Sequence, residues 1–213
     1  MASPILSVSQ MREWESATWA TGVSEHSVIH NVGRRLAERV MERTKAGDRL
    51  LLLAGRGNNG ADVRAMVAHL SQRTIELIDV IDPVAALAEV SEALSRHPEW
   101  VVDGLFGIGL SRPLDESWIR LVNRINESRL PVLSVDVPSG LNADTGVPDG
   151  AAVMAAWTVC VGAIKQGLLA GHAIPYVGKL DLLSDIGLSA PPGGQVQWTD
   201  GADFSNFPPR RSV

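Results

Sequence analysis

Short apolar runs that alternate with amphipathic segments are the dominant pattern in this sequence of 213 residues. The apolar runs predict strands at residues 50–53, 75–81, 100–105, 132–137, 158–161 and 180–183. The amphipathic segments between them predict helices at residues 62–73, 84–96 and 115–128. Strands and helices in this alternation are typical of helices that cover both faces of a sheet. The pattern therefore predicts an α/β fold with a mostly parallel central sheet.

Two further helices are predicted before the first of these strands. Ser7 and Gln10 have the spacing of a capping box, which predicts a helix that starts near Ser7. The second helix has its apolar residues on one face, at Val28, Ile29, Val32, Leu36 and Val40. Residues 189–213 are rich in Pro, Gly and polar residues and show no sustained period. We therefore expect one domain at 1–188 and a linker or tail at 189–213.

The composition favours a small-molecule ligand. A net charge of −5 and a pI near 5.5 argue against nucleic acid or an anionic membrane as the main partner, because both require a basic surface. The first residues reach Arg12 and Glu13 too early to form a signal peptide or a membrane span. Cys160 is the single cysteine, which fits a reducing compartment and a core position. The sequence predicts a cytoplasmic protein.

The stretch GRGNNGAD at residues 55–62 fits the dinucleotide fingerprint G-x-G-x-x-G. In an NAD-dependent oxidoreductase, its glycines would approach a pyrophosphate, and Asp79 or Asp82 would bind a ribose. Against this interpretation, Asp62 would place a carboxylate in the first helical turn, where the helix dipole attracts anions. Two neighbouring amides, Asn58 and Asn59, also favour binding through side chains. A glycine-rich turn without a ligand explains the same pattern.

Two acids lie inside apolar strands. Asp103 belongs to the stretch VVDGLFGIGLSRPL and Asp136 to LSVDVPSGLNADTG. The predicted strands within these stretches, at residues 100–105 and 132–137, contain no lysine or arginine. A buried carboxylate costs several kcal/mol unless it is hydrogen-bonded, paired or given a cation. Because loops after parallel strands open at the same sheet edge, Asn59, Asp103, Asp136 and Ser139 can converge on one crevice. Such oxygen donors suit a hard cation and a polar ligand. Both acids could instead cap turns.

The sequence does not contain the motifs of several other kinds of catalytic site. Ser139 lies in Val-Pro-Ser-Gly-Leu, which is no nucleophile elbow, and none of the five histidines falls in these motifs. The sequence contains neither a His/Cys cluster at zinc spacing nor a G-x-x-x-x-G-K-[ST] loop. Lys165, in GAIKQGLLAG, follows a strand and is expected at the same rim, although a solvated lysine is the default interpretation.

Four motifs in this order, GRGNNGAD, VDGLFGIGLSRPL, VDVPSGLNADTG and GAIKQGLLAG, resemble the NAD(P)H-hydrate epimerases, the YjeF N-terminal domain family, over roughly residues 5–188. The resemblance implies a Rossmann-like three-layer α/β/α sandwich. It implies an isomerase that interconverts the R and S forms of hydrated NADH and NADPH (NADHX and NADPHX) in cofactor repair. It also implies one potassium ion per subunit, held by Asn59, Asp103 and Ser139, and a homodimer.

The same resemblance assigns substrate contacts and acid/base groups. It implies proton transfer at the hydroxylated ring carbon by Asp136, with Lys165. The implied substrate contacts are Asn58, Asn59, Gly60, Ala61, Asp62, Gly107, Ile108, Gly109, Leu110, Ser111, Arg112, Pro113 and Asp136.

The chain departs from the family pattern at five positions within or beside these motifs. Ala61 and Val63 replace glycines of N-N-G-G-D-G, Ile108 replaces a common threonine, and Ile164 and Gln166 replace prolines. Ala61 would be harmless in a helix but would obstruct the site if the position needed positive φ. The rival interpretation is a non-enzymatic binding module, because the fold also resembles scaffolds in RNA-decay factors.

The end of the chain resembles a domain junction. In fused members of the family, a Pro-Pro-Arg stretch leads into an ATP- or ADP-dependent hydrate dehydratase, and Pro208, Pro209 and Arg210 match it. This match implies that the chain is the amino-terminal half of a bifunctional repair enzyme.

Overall fold

The computed structural model describes residues 2–110, 112–189 and 197–200. Its strands are β1 (Ala2–Leu6), β2 (Arg49–Ala54), β3 (Thr74–Asp79), β4 (Trp100–Gly104), β5 (Val132–Val135), β6 (Trp157–Val161), β7 (Ile164–Lys165), β8 (Lys179–Leu183) and β9 (Gln197–Asp200). Its α-helices are α1 (Val8–Ala20), α2 (Glu25–Met41), α3 (Asn58–Val67), α4 (Pro83–Ser95), α5 (Glu116–Glu127) and α6 (Ile174–Val177). Short 3₁₀ helices occupy Gln166–Leu169 and Gly171–Ala173.

The central sheet has the order β3-β2-β4-β5-β6-β8, and every neighbouring pair is parallel. Residues along β2 alternate between two cores. Leu50 and Leu52 pack with α2 and α3 on one face, whereas Leu51 and Leu53 pack with α4 and α5 on the other. The predicted Rossmann-like α/β/α sandwich is therefore confirmed, and all six predicted strands are present.

The strand order reverses beside β2, because β3 lies on one side of β2 and β4 on the other. Loops that leave the carboxyl ends of β2 and β4 consequently diverge and open a crevice between them. Ligands of open α/β sheets bind at such a switch point. The fold thus places residues 55–57 opposite residues 105–110.

A second, smaller sheet joins the two ends of the described chain. Its order is β7-β1-β9, with β1 parallel to β7 and antiparallel to β9. The sequence patterns predict neither β1 nor β9. β9 lies within the predicted linker or tail at 189–213, of which residues 190–196 and 201–213, including the Pro208 to Arg210 junction, lie outside the described residues. Ser189 is tied to α1, since its carbonyl accepts a hydrogen bond from Trp14 Nε1 at 3.1 Å.

Two helix starts test the sequence predictions. The capping box at Ser7 and Gln10 is confirmed. The predicted start of α3 is wrong by four residues, because the helix begins at Asn58 and not at residue 62. The predicted end is also wrong, because the helix ends at Val67 and not at residue 73. Gly57 is its extended N-cap, and both asparagines occupy the first turn. Asp62 is therefore in the second turn, beyond the strongest part of the helix dipole. Within the part of the chain described, no helix is long and apolar enough to span a bilayer.

The glycines at residues 55, 57 and 60 have different packing roles. A Cβ on Gly55 would lie 2.0 Å from the Leu105 carbonyl oxygen, and a Cβ on Gly60 would lie 2.0 Å from the Gly55 carbonyl oxygen. A Cβ on Gly57 would meet nothing within 4 Å. The outer two glycines therefore allow close approach of the β2 loop, the β4 loop and α3.

We expect Gly55→Ala to lower the free energy of unfolding by about 3 kcal/mol, because the methyl group overlaps backbone that cannot move independently. The matched change Gly57→Ala should cost less than about 1 kcal/mol, the usual difference between Gly and Ala at an N-cap. Urea unfolding followed by tryptophan fluorescence measures both values. Equal losses would contradict the packing role of Gly55.

Candidate active site

A cavity of about 720 Å³ opens at the switch point of the sheet. Its walls come from α1, from the loops after β2, β3 and β4, and from the ends of β5 and β6. The lining residues of the sequence-predicted site are Asn58, Asn59, Asp62, Gly107, Ile108, Gly109, Leu110, Arg112, Asp136 and Lys165. Gly60, Ala61 and Pro113 are not among the residues that line the cavity, and Ser111 lies outside the described residues.

A buried ion pair lies at the base of the cavity. Lys165 is 1% exposed and Asp136 is 8% exposed. The Lys165 ammonium donates to Asp136 Oδ1, to the Val161 carbonyl at 2.7 Å and to the Ala163 carbonyl at 3.0 Å. All three ammonium hydrogens can thus be used at once. The default interpretation of Lys165 as a solvated lysine is therefore wrong. The side chain is buried below the rim of the cavity, and Asp136 balances its charge.

Asp136 is held in an unusual backbone conformation. It follows β5 directly and has φ +66°, in the left-handed region, which aspartate and asparagine tolerate better than most residues. Its N–H donates to the Val159 carbonyl at 2.8 Å, and Oδ1 also accepts from the Val161 N–H at 3.2 Å. Within the described residues, Oδ2 accepts no hydrogen bond. The turn therefore leaves one carboxylate oxygen of Asp136 available to a ligand.

Asp103 satisfies its carboxylate in a different way. The residue is fully buried and accepts from Ser134 Oγ (2.8 Å), the Ser139 N–H (2.9 Å), Ser139 Oγ (2.5 Å) and the Leu105 N–H (3.2 Å). Burial raises the pKa of Asp103, and the hydrogen bonds from Ser139 oppose that rise. Neutral donors thus serve this acid, whereas a lysine serves Asp136. Asp103 and Ser139 lie behind the cavity wall. Ser139 Oγ contacts a residue of that wall, because it accepts a hydrogen bond from the Phe106 N–H at 2.9 Å.

Asn59 connects this network to the cavity. Its Nδ2 donates to the carbonyls of Phe106 at 2.8 Å and Val135 at 3.0 Å. Its Oδ1 is buried and has no hydrogen-bond partner in the described structure. Gly107 lies between Asn59 and Asp136, because a Cβ there would be 3.2 Å from Asp136 Oδ2 and 3.5 Å from Asn59 Cγ. An orphaned buried oxygen indicates a missing partner.

The residues that an NAD-dependent oxidoreductase would use are occupied. Asp79 pairs with Arg64, whose Nε lies 2.8 Å from Oδ1, and Asp82 caps α4 by accepting from the Val84 N–H at 2.8 Å. Two of the three fingerprint glycines are explained by backbone packing. Both aspartates therefore have a structural partner, and Asp82 also lines the cavity.

Sequence reasoning missed the contribution of α1 and of the aromatic wall. Arg12 and Glu15 line the cavity from α1. On another side, the rings of Phe106 and Trp118 pack edge to face, with their centroids 4.6 Å apart. The amphipathic pattern of α1 contained no motif that could have identified Glu15. Tertiary packing alone brings residue 15 near residue 136.

Glu15 and Asp62 lie in the cavity wall without a cationic partner in direct contact among the described residues. Asp62 is 7% exposed, and burial, with Asp136 and Glu15 nearby, raises its pKa well above the ordinary range. Burial also raises the pKa of Glu15, against the opposing effect of Lys165. Neither side chain accepts a hydrogen bond from the described residues. The cavity therefore combines an ion-paired carboxylate with two carboxyl groups whose pKa values are raised by burial.

The departures from the family pattern leave the cavity open. Ala61 is helical, and Val63 is fully buried against Gly104 and points into the core. Ile108 lines the cavity, Ile164 is buried in β7, and Gln166 begins a 3₁₀ helix. Cys160 is a core residue as expected, and burial raises the pKa of its thiol to about 12.

These features define an α/β domain with a polar cavity at the carboxyl edge of its sheet, lined by carboxyl groups of the kind that transfer protons in enzymes. Residues 82–167 match the family described as the YjeF-related protein N-terminus. The NAD(P)H-hydrate epimerase of Bordetella pertussis (strain CS) is 36% identical over 203 residues, which cover 85% of this chain and 87% of the relative. The chain belongs to the NAD(P)H-hydrate epimerase family.

Two further comparisons extend this result. The bifunctional NAD(P)H-hydrate repair enzyme Nnr of Thermosynechococcus vestitus is 32% identical over 194 residues, which cover 82% of this chain but 38% of the relative. A yeast protein solved by crystallography, YNL200c, has the same fold, with a TM-score of 0.65 and 20% identity over 76% of this chain and 82% of that one.

Removing the buried ammonium should be costly. We expect Lys165→Met to lower the free energy of unfolding by about 3–5 kcal/mol, because Asp136 would be left as an uncompensated buried charge. The double variant Lys165→Met/Asp136→Asn should recover part of that loss. Lys45→Met, at an exposed lysine, should change stability by less than about 0.5 kcal/mol. Urea titrations test this order, and an additive double variant would refute the coupling.

Proposed function

We propose that this chain epimerises the R and S forms of hydrated NADH and NADPH and so acts as an isomerase in nicotinamide cofactor repair. The observation that carries the proposal is the Asp136 and Lys165 pair at the base of a cavity, in a chain of the NAD(P)H-hydrate epimerase family. The cofactor is thus a damaged substrate and not a hydride carrier.

The charge distribution of the cavity fits such a substrate. Exposed arginines, Arg12, Arg56 and Arg112, lie around the cavity, whereas Asp62 and Asp136 are buried in its wall. Phosphates are attracted to the arginines, whereas the inner ammonium of Lys165 is already paired with Asp136. The hydrated nicotinamide ring carries no charge and can enter the acidic interior. This polarity directs the ring, and not the phosphates, towards Asp136.

The reaction requires two proton transfers at a carbon that carries both nitrogen and oxygen. If the C–O bond breaks, the oxygen takes a proton and leaves as water, while the nitrogen lone pair forms a C=N bond. If the C–N bond breaks, the hydroxyl loses a proton and forms an aldehyde, while the nitrogen takes the bonding pair and a proton. Either route needs one proton donor and one acceptor.

Asp136 is suited to the acceptor role. Oδ1 is engaged by Lys165 and Val161, so Oδ2 is the oxygen that can take a proton from the substrate. Lys165 has all three hydrogens engaged, so it acts through Asp136 by holding the carboxylate and balancing its charge. This geometry makes Lys165 a positioning residue.

A potassium ion is the second part of the proposal. The residues fit a cation, because Asn59 Oδ1 is buried without a partner among the described residues and the buried Asp103 carboxylate lies beside Ser139 Oγ. Asn59, Asp103 and Ser139 would hold the ion. When bound, it would neutralise acidic charge and order the loops after β2, β4 and β5.

A fused dehydratase domain, a homodimer and a cytoplasmic location stay predictions from the resemblance and the composition. The Nnr relative, of which this chain spans 38%, supports the first of them.

The epimerase should fail without the Asp136 carboxylate. We expect Asp136→Asn to lower the rate by at least about 100-fold, because a general base is lost while asparagine tolerates the same positive φ. The assay follows stereochemically enriched hydrated NADPH by chromatography that separates the epimers, with the spontaneous rate subtracted. Asp185→Asn, at an exposed aspartate, is the matched control. A wild-type protein no faster than the spontaneous reaction, with potassium present, would favour the binding-module alternative.

Potassium should stabilise the folded protein. At equal ionic strength, saturating KCl should raise the free energy of unfolding by about 1–3 kcal/mol relative to choline chloride, since the ion binds only the native site. Asn59→Ala should abolish this difference, whereas Asn58→Ala, which loses a bond to Glu25 on α2, should keep it. Calorimetric melting curves decide the point. An unchanged potassium response in Asn59→Ala would remove Asn59 from the ion site.

A further inference from the structure

Helix α1 carries Glu15 into the wall of the cavity, and the mechanism above does not use this residue. Trp14 and Thr18 anchor α1 in the domain. Arg12, one turn before Glu15, donates to the Ile108 carbonyl at 3.3 Å and ties the helix to the loop after β4. Residues 12 and 15 lie on the same face of a helix. The contacts on both sides of Glu15 therefore hold it at a defined position beside the substrate cavity.

The surroundings of Glu15 differ from those of Asp136. Glu15 is partly buried and accepts no hydrogen bond within the described structure. The charged groups that act on it or interact with it are Lys165, Asp136, Glu25, Arg12 and Asp62. Burial is the main cause of its raised pKa, Asp136 and Glu25 raise that pKa further, and Lys165 and Arg12 lower it. Glu15 consequently keeps its proton to a higher pH than an ordinary glutamate.

Two carboxyl groups in one cavity with opposite surroundings are the usual arrangement for an acid and a base. Asp136 is in contact with an ammonium, whereas Glu15 contacts none from the described residues. The pKa of Asp62 is raised as well, but this side chain is almost fully buried and its pKa lies well above the ordinary range. A group that strongly retains its proton is a poor catalyst of reversible transfer. Glu15 is the less buried of the two acids and is better suited to cycle.

Resting on the proposed function, we propose that Glu15 is a second catalytic residue, the proton donor that acts opposite Asp136 at the hydrated ring carbon. In the water-loss route, the Glu15 proton goes to the hydroxyl oxygen, and water leaves with the C–O bonding pair. Water then adds to the other face of the ring and gives its proton to Asp136. In the ring-opening route, Asp136 takes the hydroxyl proton and Glu15 protonates the nitrogen that receives the C–N bonding pair. The aldehyde then turns its other face to this nitrogen and the C–N bond forms again, while Asp136 returns a proton to the oxygen and the nitrogen returns one to Glu15.

The test compares four proteins by rate, substrate affinity and pH profile: the wild type, Glu15→Gln, Glu15→Asp and Glu13→Gln. Glu13 lies on the same helix and is exposed, so its change removes the same charge outside the cavity. Epimerisation of hydrated NADPH is measured from pH 5 to pH 9, and the spontaneous rate is subtracted. Asp62→Asn is measured in parallel as the rival donor.

Glu15→Gln should lower kcat by at least about 100-fold and change KM by less than about twofold. The wild-type rate should fall as the pH rises through the raised pKa of Glu15, because the donor must be protonated. Glu15→Asp should keep part of the activity and move this fall to lower pH, because aspartic acid is the stronger acid. Glu13→Gln should match the wild type.

Several results would overturn the inference. They are a Glu15→Gln variant with wild-type kcat, a loss confined to KM, or an alkaline fall that disappears in Asp62→Asn and persists in the Glu15 variants. If Glu15→Gln does not fold, an unshifted pH profile of Glu15→Asp overturns it equally. Wild-type protein without activity refutes the proposed function itself, whereas active wild type with unaffected Glu15 variants refutes only the role of Glu15.

Discussion

The ion pair between Lys165 and Asp136 is the interaction on which the site depends. A lysine with 1% of its surface exposed is tolerable only because a carboxylate and two carbonyls take its three hydrogens. Those partners come from the turn after β5 and from the β6 to β7 connection. The pair therefore joins the central sheet to the smaller sheet and sets the base of the cavity. The same ion pair thus stabilises the fold and positions the carboxylate at the base of the cavity.

Close backbone packing gives the cavity its shape. Gly55 and Gly60 allow the loops after β2 and β4 to approach α3, which leaves Asn59 aimed between Phe106 and Val135. The glycine pattern that suggested a pyrophosphate loop is thus explained largely by contacts within the protein. Asn59 and Asp136 both line the cavity, with Gly107 between them.

The acids of the cavity differ because their surroundings differ. Asp103 is satisfied by serine hydroxyls and backbone amides, Asp136 by an ammonium, and Glu15 and Asp62 by no hydrogen bond from the described residues. Carboxyl groups with the same intrinsic chemistry are thereby separated into one that is paired with an ammonium and two whose pKa values are raised by burial. Such separation is what an epimerase requires, since one proton must be supplied while another is removed.

The sequence by itself determined the layered fold, since strands with two buried faces and helices with one apolar face leave few other arrangements. It also predicted that Asn59, Asp136 and Lys165 would approach one edge of the sheet, because parallel strands end together. Only the tertiary structure decided which partner each charge has. Lys165 was expected at the rim and lies buried, and Glu15 reaches the cavity from a helix without any motif. Charge pairing and burial depend on contacts between residues that are distant in the chain, and local patterns carry no information on them.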